Sequence, residues 1–160
     1  VQNHINILQL AYSNHTFYDP AIIADYYKDV HSNSYVDVVQ KLLINACQIF
    51  GISHDFLRAS SFGFDNSIRG VDNLYLIAKN LGSRVYVSGS NGRSYKVKER
   101  FMFADTPISV VFHDFDYPVY MQQNSSIDFI PWLCFFDPLF NLGIDRTRDI
   151  IFSKPLLRDE

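Results

Sequence analysis

The sequence predicts an α/β fold: a small parallel sheet, Rossmann-like in its crossovers, flanked by helices and preceded by a helical segment. Three observations carry this. From His54 to Phe112, short β-forming runs alternate with helical stretches in the order strand, helix, strand, helix, strand. That spacing favours right-handed parallel crossovers. Upstream, apolar residues recur at helical spacing in three successive stretches. Hydrophobic residues make up 48% of the 160 positions and charged residues 19%, which suits one buried core and excludes a disordered chain. No repeat or long linker divides the sequence. A single domain over 1–160 is expected, with 1–50 a helical segment packed on a 52–143 α/β core and 144–160 a tail.

Taken in order, Ile5, Leu8 and Tyr12 give a helical face between Asn3 and Asn14. Asp19-Pro20 reads as an N-cap followed by proline at the first helical position, opening a helix to about Val30. Ser34 can cap the next helix, whose stripe is Val38, Val39, Leu42, Leu43, Ala46, Ile49 and Phe50; Gly51 ends it in the left-handed conformation. His54 to Ala59 reads as a strand and Ser60 to Arg69 as a loop. Val71 to Leu81 is a helix closed by Gly82. Arg84 to Ser88 is a strand rich in β formers, and a Gly-Ser-Asn-Gly turn leads to a helix over 94–101. Pro107 to Phe112 is the third strand. Trp132 to Leu142 forms the last helix, ended by Gly143, and the charged stretch from Arg146 is expected to be partly disordered.

Charge and cysteine content narrow the function classes. The formal net charge is -3 with no basic stripe, which argues against nucleic acid as a partner. No apolar run reaches the length of a membrane span, and no signal peptide is visible. Cys47 and Cys134 lie far apart and form neither a disulfide framework nor a zinc pattern, so a reducing cytoplasm is expected. Cys134 is expected to pack inertly in a buried helix, and His4, His15, His31 and His54 to lie on the surface without metal-ligand spacing. The chain opens on Val1 rather than methionine, which points to a removed front segment. No pattern assigns a cofactor or an oligomeric state. The many aromatic residues of the last third read first as core, with a few expected to line a groove.

In an open parallel sheet, ligands bind at the carboxyl ends of the strands. Three segments are expected to converge there: Ser60-Ser61, Ser88-Gly89-Ser90-Asn91-Gly92 and His113-Asp114. The glycines let backbone approach a ligand, and hydroxyls with free N–H groups suit a phosphate. Arg69 and Arg93 flank strand-end loops and can pair with phosphate or carboxylate. His113 can act as a general base near neutral pH. Asp114 is its candidate orienting partner, although neighbours in a strand point to opposite faces.

Several stretches together resemble the WbqC-like protein family. They are Gly51-Ile52, Ser60-Ser61, Leu74 to Gly82, and Tyr86-Val87-Ser88-Gly89 with Tyr95. Pro118-Val119-Tyr120-Met121-Gln122 is similar to that family's Pro-x-Tyr-x-Gln element, and Phe129 to Gly143 to its closing signature. His4 through Tyr12 to Phe17 resembles the helical segment before its core. The order and spacing of these points carry the resemblance, which covers about His4 to Gly143. Cys134 stands where the family has serine, Pro138 where it has an aliphatic residue, and the family's Met-Gln-Pro-Tyr-like opening is absent. The resemblance implies a role in bacterial O-antigen, lipopolysaccharide or other surface-polysaccharide synthesis. It implies transfer of an acyl or aminoacyl (glycyl) group to a nucleotide-linked amino sugar, with a nucleotide-sugar-binding module as the alternative. It also adds Tyr95, Tyr120 and Gln122 to the residues expected to touch substrate.

Overall fold

The computed structural model of the chain describes residues 1–65, 67–123, 128–153 and, as backbone, 156–158. The chain falls into two compact units, each with its own core. The first comprises Val1–Phe56 and Tyr117–Ser153, and the second comprises Leu57–Asp116 together with the strand at the chain's end.

The first unit is helical. α1 spans Gln2–Tyr12, α2 Pro20–Tyr26, α3 Tyr35–Ile49, α6 Phe136–Leu142 and α7 Ile144–Phe152. The Asp19 carboxylate accepts from the Ala21 N–H at 2.8 Å and caps α2, with Pro20 at the first helical position as the sequence predicts. Ser34 caps α3 by accepting from the Asp37 N–H, and Gly51 follows that helix at φ +68. The core packs Ile23, Phe50, Phe136, Leu139 and Phe140, with Leu8, Tyr12 and Tyr26 against them.

The α3 stripe is not the one expected. Val39 and Leu43 are exposed, while Asn45 is buried. Its Nδ2 donates to the Tyr26 carbonyl at 2.8 Å and to the Lys28 carbonyl at 2.9 Å. These carbonyls at the end of α2 have no partner further along the helix, so a buried amide meets a need that periodicity does not register.

The second unit carries the sheet. α4 spans Gly70–Asn80, β1 Val85–Gly89, α5 Val97–Met102 and β2 Ser109–Asp114. β1 and β2 run parallel, pairing Val85 with Ser109 and Gly89 with His113. Tyr86, Val110 and Phe112 pack with Tyr75 of α4 and Val97 and Phe101 of α5. The protein is thus of the predicted class, with a small parallel pair of strands flanked by helices.

Four details depart from expectation. Residues 54–59 form no strand; they run extended into a 3-10 turn at Ala59–Phe62, and of His54, Asp55, Leu57 and Arg58 none is buried against a neighbouring strand. Polar residues interrupt that run, and β-propensity without a packed face does not make a strand. A parallel sheet of alternating strands and helices is expected to be covered on both faces, but here helices cover one face, since Val85 and Val87 on the other are 52% and 56% exposed. The last helix begins at Phe136 rather than Trp132, which puts Pro138 in its first turn, where a missing N–H costs no helical bond. The described residues of the tail form regular elements: α7 buries Thr147, and β3, Leu156–Arg158, pairs antiparallel with Phe112–Asp114 of β2.

Candidate functional site

Asp137, in the first turn of α6, is 4% exposed. A carboxylate so buried needs donors, and three side chains supply them. Tyr120 Oη donates to Oδ2 at 2.6 Å, Gln122 Nε2 donates to the same oxygen at 2.9 Å, and Tyr12 Oη donates to Oδ1 at 3.3 Å. Gln122 also holds both backbone groups of Ile130, each at 2.9 Å. One turn on, Asn141 donates to the Asp137 carbonyl at 2.8 Å and accepts from the Gln123 N–H at 2.6 Å. Gln123 and Thr16 exchange a further pair of bonds at 2.6 Å each.

The segments around Tyr12, Tyr120 and Asp137, far apart in the chain, are therefore joined at one carboxylate. The donors are electrically distinctive. Burial, then the hydrogen bonds to Asp137 and Tyr117, pushes the Tyr120 phenol far above its ordinary range. Burial and then the Asp137 charge do the same to Tyr12. Both phenols stay protonated and keep donating. His15 stands beside Tyr12 with ring centroids 5.0 Å apart, 9% exposed, its Nδ1 buried and without a partner. This corrects the expected surface position of His15.

Sequence reasoning placed Tyr120 and Gln122 at a substrate, and the structure gives both an internal partner. It missed Asp137, Asn141 and Tyr12 as members of the cluster. The signal was present: Asp137 and Asn141 are polar residues four apart in an otherwise apolar helical run, hence on the same face. Around the cluster, Tyr117 packs on Trp132 at 5.0 Å, and Tyr120 meets Phe129 edge-on at 5.2 Å. Trp132 is 72% exposed at φ +64, an uncommon backbone for a bulky residue. Cys134, expected inside a buried helix, precedes α6 and is exposed.

The second unit holds the strand-end residues. The parallel register sets Ser88 against Phe112 and Gly89 against His113, so the turn after β1 and the end of β2 share one rim. Ser88 is buried, and its hydroxyl donates to the Gly89 carbonyl at 3.1 Å. Asn91 and Tyr95 are exposed in the following 3-10 helix, Ser90–Tyr95. His113 is half-buried and stacks near Phe115 at 6.3 Å. Asp114 takes a two-pronged ion pair from Arg93 at 2.8 and 3.0 Å, and that guanidinium lies 4.4 Å over the Phe112 ring.

Ser60 and Arg69 line a cavity of about 800 Å³ at the start of α4, with Asp65 and Asn73. Ser61 is exposed nearby in sequence, its hydroxyl bonded to the Arg58 carbonyl at 2.7 Å. The predicted residues thus form three groups. Ser88, Gly89, Asn91, His113 and Asp114 gather at the rim, Ser60 and Arg69 share the cavity, and Tyr120 and Gln122 belong to the first unit.

Among the described residues, no cluster of three His, Cys, Asp or Glu side chains could hold a metal ion, and no helix is long and apolar enough to cross a membrane. No curated protein and no solved structure matches the chain. The WbqC-like protein family matches it over residues 1–149, a range that takes in all three residue groups and every element except the end of α7 and β3, and the chain belongs to that family.

Proposed function

We propose that this WbqC-like chain serves bacterial O-antigen or surface-polysaccharide assembly by transferring an acyl or aminoacyl group to the amine of a nucleotide-linked amino sugar. The observation that carries the reading is the rim, where the register sets His113 beside a glycine-bearing turn at the ends of parallel strands. There an imidazole can accept a proton while backbone N–H groups face a developing oxyanion or a phosphate. In the step, the sugar nitrogen attacks the carbonyl of an activated acyl donor such as a thioester. The carbon–nitrogen bond forms, the carbon–sulfur bond breaks, the thiolate leaves with its electron pair, and His113 takes the amine proton. Asn91 and the turn backbone steady the oxyanion. Ser60 and Arg69 in their cavity offer a hydroxyl and a guanidinium to phosphate oxygens. Two free cysteines fit a reducing cytoplasm, where nucleotide sugars and thioesters meet.

Mass spectrometry of nucleotide amino sugars incubated with the protein and acyl donors tests this. The expected result is one acyl mass added to one sugar, with turnover falling about 10²–10⁴-fold in His113→Ala. No mass gain on any sugar overturns it.

A second reading, a nucleotide-sugar-binding module without turnover, is favoured by one observation. Asp114, the carboxylate next to His113, is engaged in a two-pronged ion pair with Arg93, which fits a rim built to hold its shape. Thermal stabilisation by a nucleotide sugar, without product, supports this reading.

A further inference from the structure

The first unit contains a cavity of about 330 Å³ that neither the Asp137 cluster nor the rim uses. Leu8 of α1, Tyr26, Tyr27, Phe135 and Phe136 wall it, with His4, Ile7 and Cys134 completing the lining. Its aromatic wall is continuous: Tyr26 meets Phe135 at 5.2 Å, and Phe135 lies on Phe136 at 4.3 Å. No lysine, arginine, aspartate or glutamate lines it. An ammonium entering here would lose water without gaining a carboxylate, and a phosphate without gaining a lysine or arginine.

An uncharged group meets no such penalty. The volume is roughly twice the ~150 Å³ that holds a benzene-sized ligand. Neither the Tyr26 nor the Tyr27 phenol has a hydrogen-bond partner among the described residues. Burial raises the pKa of both, so both keep their protons and can donate.

We propose that this cavity is a binding site for an uncharged apolar group bearing a carbonyl oxygen, of the size of a medium-chain acyl amide or ester. The hydrocarbon lies on the aromatic wall, and the carbonyl accepts a hydrogen bond from Tyr26 or Tyr27. The site does not depend on the acyl-transfer reading, because its occupant is defined by the cavity's own chemistry.

Cys134 is a built-in reporter. Cys134 is exposed at the cavity; desolvation by the apolar walls beside it raises its thiol pKa, and it reacts with maleimide at a rate that an occupant of the cavity lowers. The experiment measures maleimide labelling of Cys134 in the full chain by peptide mass spectrometry, with Cys47 as internal reference. Octanamide, an acyl chain, and butyl benzoate, an aryl ester, are the two probes. Protection of Cys134 by either, about tenfold at ten times its Kd, with Cys47 unaffected, is the expected result. Which probe protects at lower concentration identifies the source of the apolar group. In the doubly substituted Tyr26→Phe, Tyr27→Phe chain, a weaker probe affinity is expected with unchanged labelling in the absence of probe. Unchanged Cys134 labelling with both probes overturns the proposal, and so does equal slowing at Cys47. Failure to find sugar acylation leaves this measurement untouched, since no turnover enters it.

Discussion

At the residue scale, Tyr120 is where the structure departs most from a surface contact. Its phenol donates at 2.6 Å to a buried carboxylate, and Phe in its place leaves Asp137 one donor short. Loss of a bond to a buried charged group costs about 1.5–3 kcal/mol, so Tyr120→Phe is expected to lower the unfolding free energy by that much at neutral pH, read as a lower urea midpoint at unchanged slope. The raised pKa of Tyr120 sets a second expectation. A phenol whose folded pKa exceeds the unfolded value of about 10 contributes stability below pH ~10 and loses it as pH rises further, because the unfolded chain releases its proton first. The native protein should therefore lose stability steeply above that pH, and Tyr120→Phe should flatten the slope. Equal slopes in the two proteins would show that the phenol is not held as described. Gly92 gives a steric counterpart at the rim. A Cβ there would sit 2.0 Å from Ser88 Oγ and 3.3 Å from the Phe112 ring. Gly92→Ala should cost about 1–3 kcal/mol by overpacking, partly restored when Ser88→Ala removes the oxygen, as denaturant titration of the three variants would read.

At the element scale, what the sequence makes legible is local chemistry. Asp19-Pro20 and Ser34 announce helix starts because a side-chain oxygen and a preset φ act on adjacent residues, and both caps stand where those residues place them. β1 and β2 were readable from Val and Tyr, to within two residues, for the same reason. The 54–59 segment has the local look of a strand without being one, because a strand is a relation to a neighbour, which no local pattern encodes. Asn45 was missed likewise: on a helical wheel it sits among apolar residues, and only the fold brings the Tyr26 and Lys28 carbonyls to it. If those two bonds hold the end of α2, Asn45→Leu should destabilise by about 1–3 kcal/mol despite adding apolar surface, because both carbonyls lose their donor. A gain in thermal midpoint would mean that the helix stripe, and not the amide, determines this face.

At the scale of the whole molecule, the residues that proved to cluster are those whose segments meet only through long sequence separation. Tyr12, Tyr120 and Asp137 were named separately, or not at all, until the fold drew them to one carboxylate. The chain's end belongs to the same lesson. The stretch after Arg146 looks like a charged tail, yet β3 pairs with Phe112, His113 and Asp114, the residues that form half of the rim. Charged composition did not show this, because an edge strand takes its place from its partner's open ladder rather than from its own pattern. The consequence is testable. Ending the chain after Ser153 removes the ladder bonds on that side of β2 and turns it into an edge. Amide exchange at Phe112, His113 and Asp114 should then quicken by an order of magnitude or more, since ~1 kcal/mol per lost bond is roughly a fivefold change in opening. Exchange in α2 and α3, whose core includes Ile23 and Phe50, should hold its native rate. Because β3 pairs at His113, sugar acylation, where it is detected, should fall in the shortened chain together with that protection. Unchanged exchange at the three β2 residues would show that the chain's end does not brace the rim.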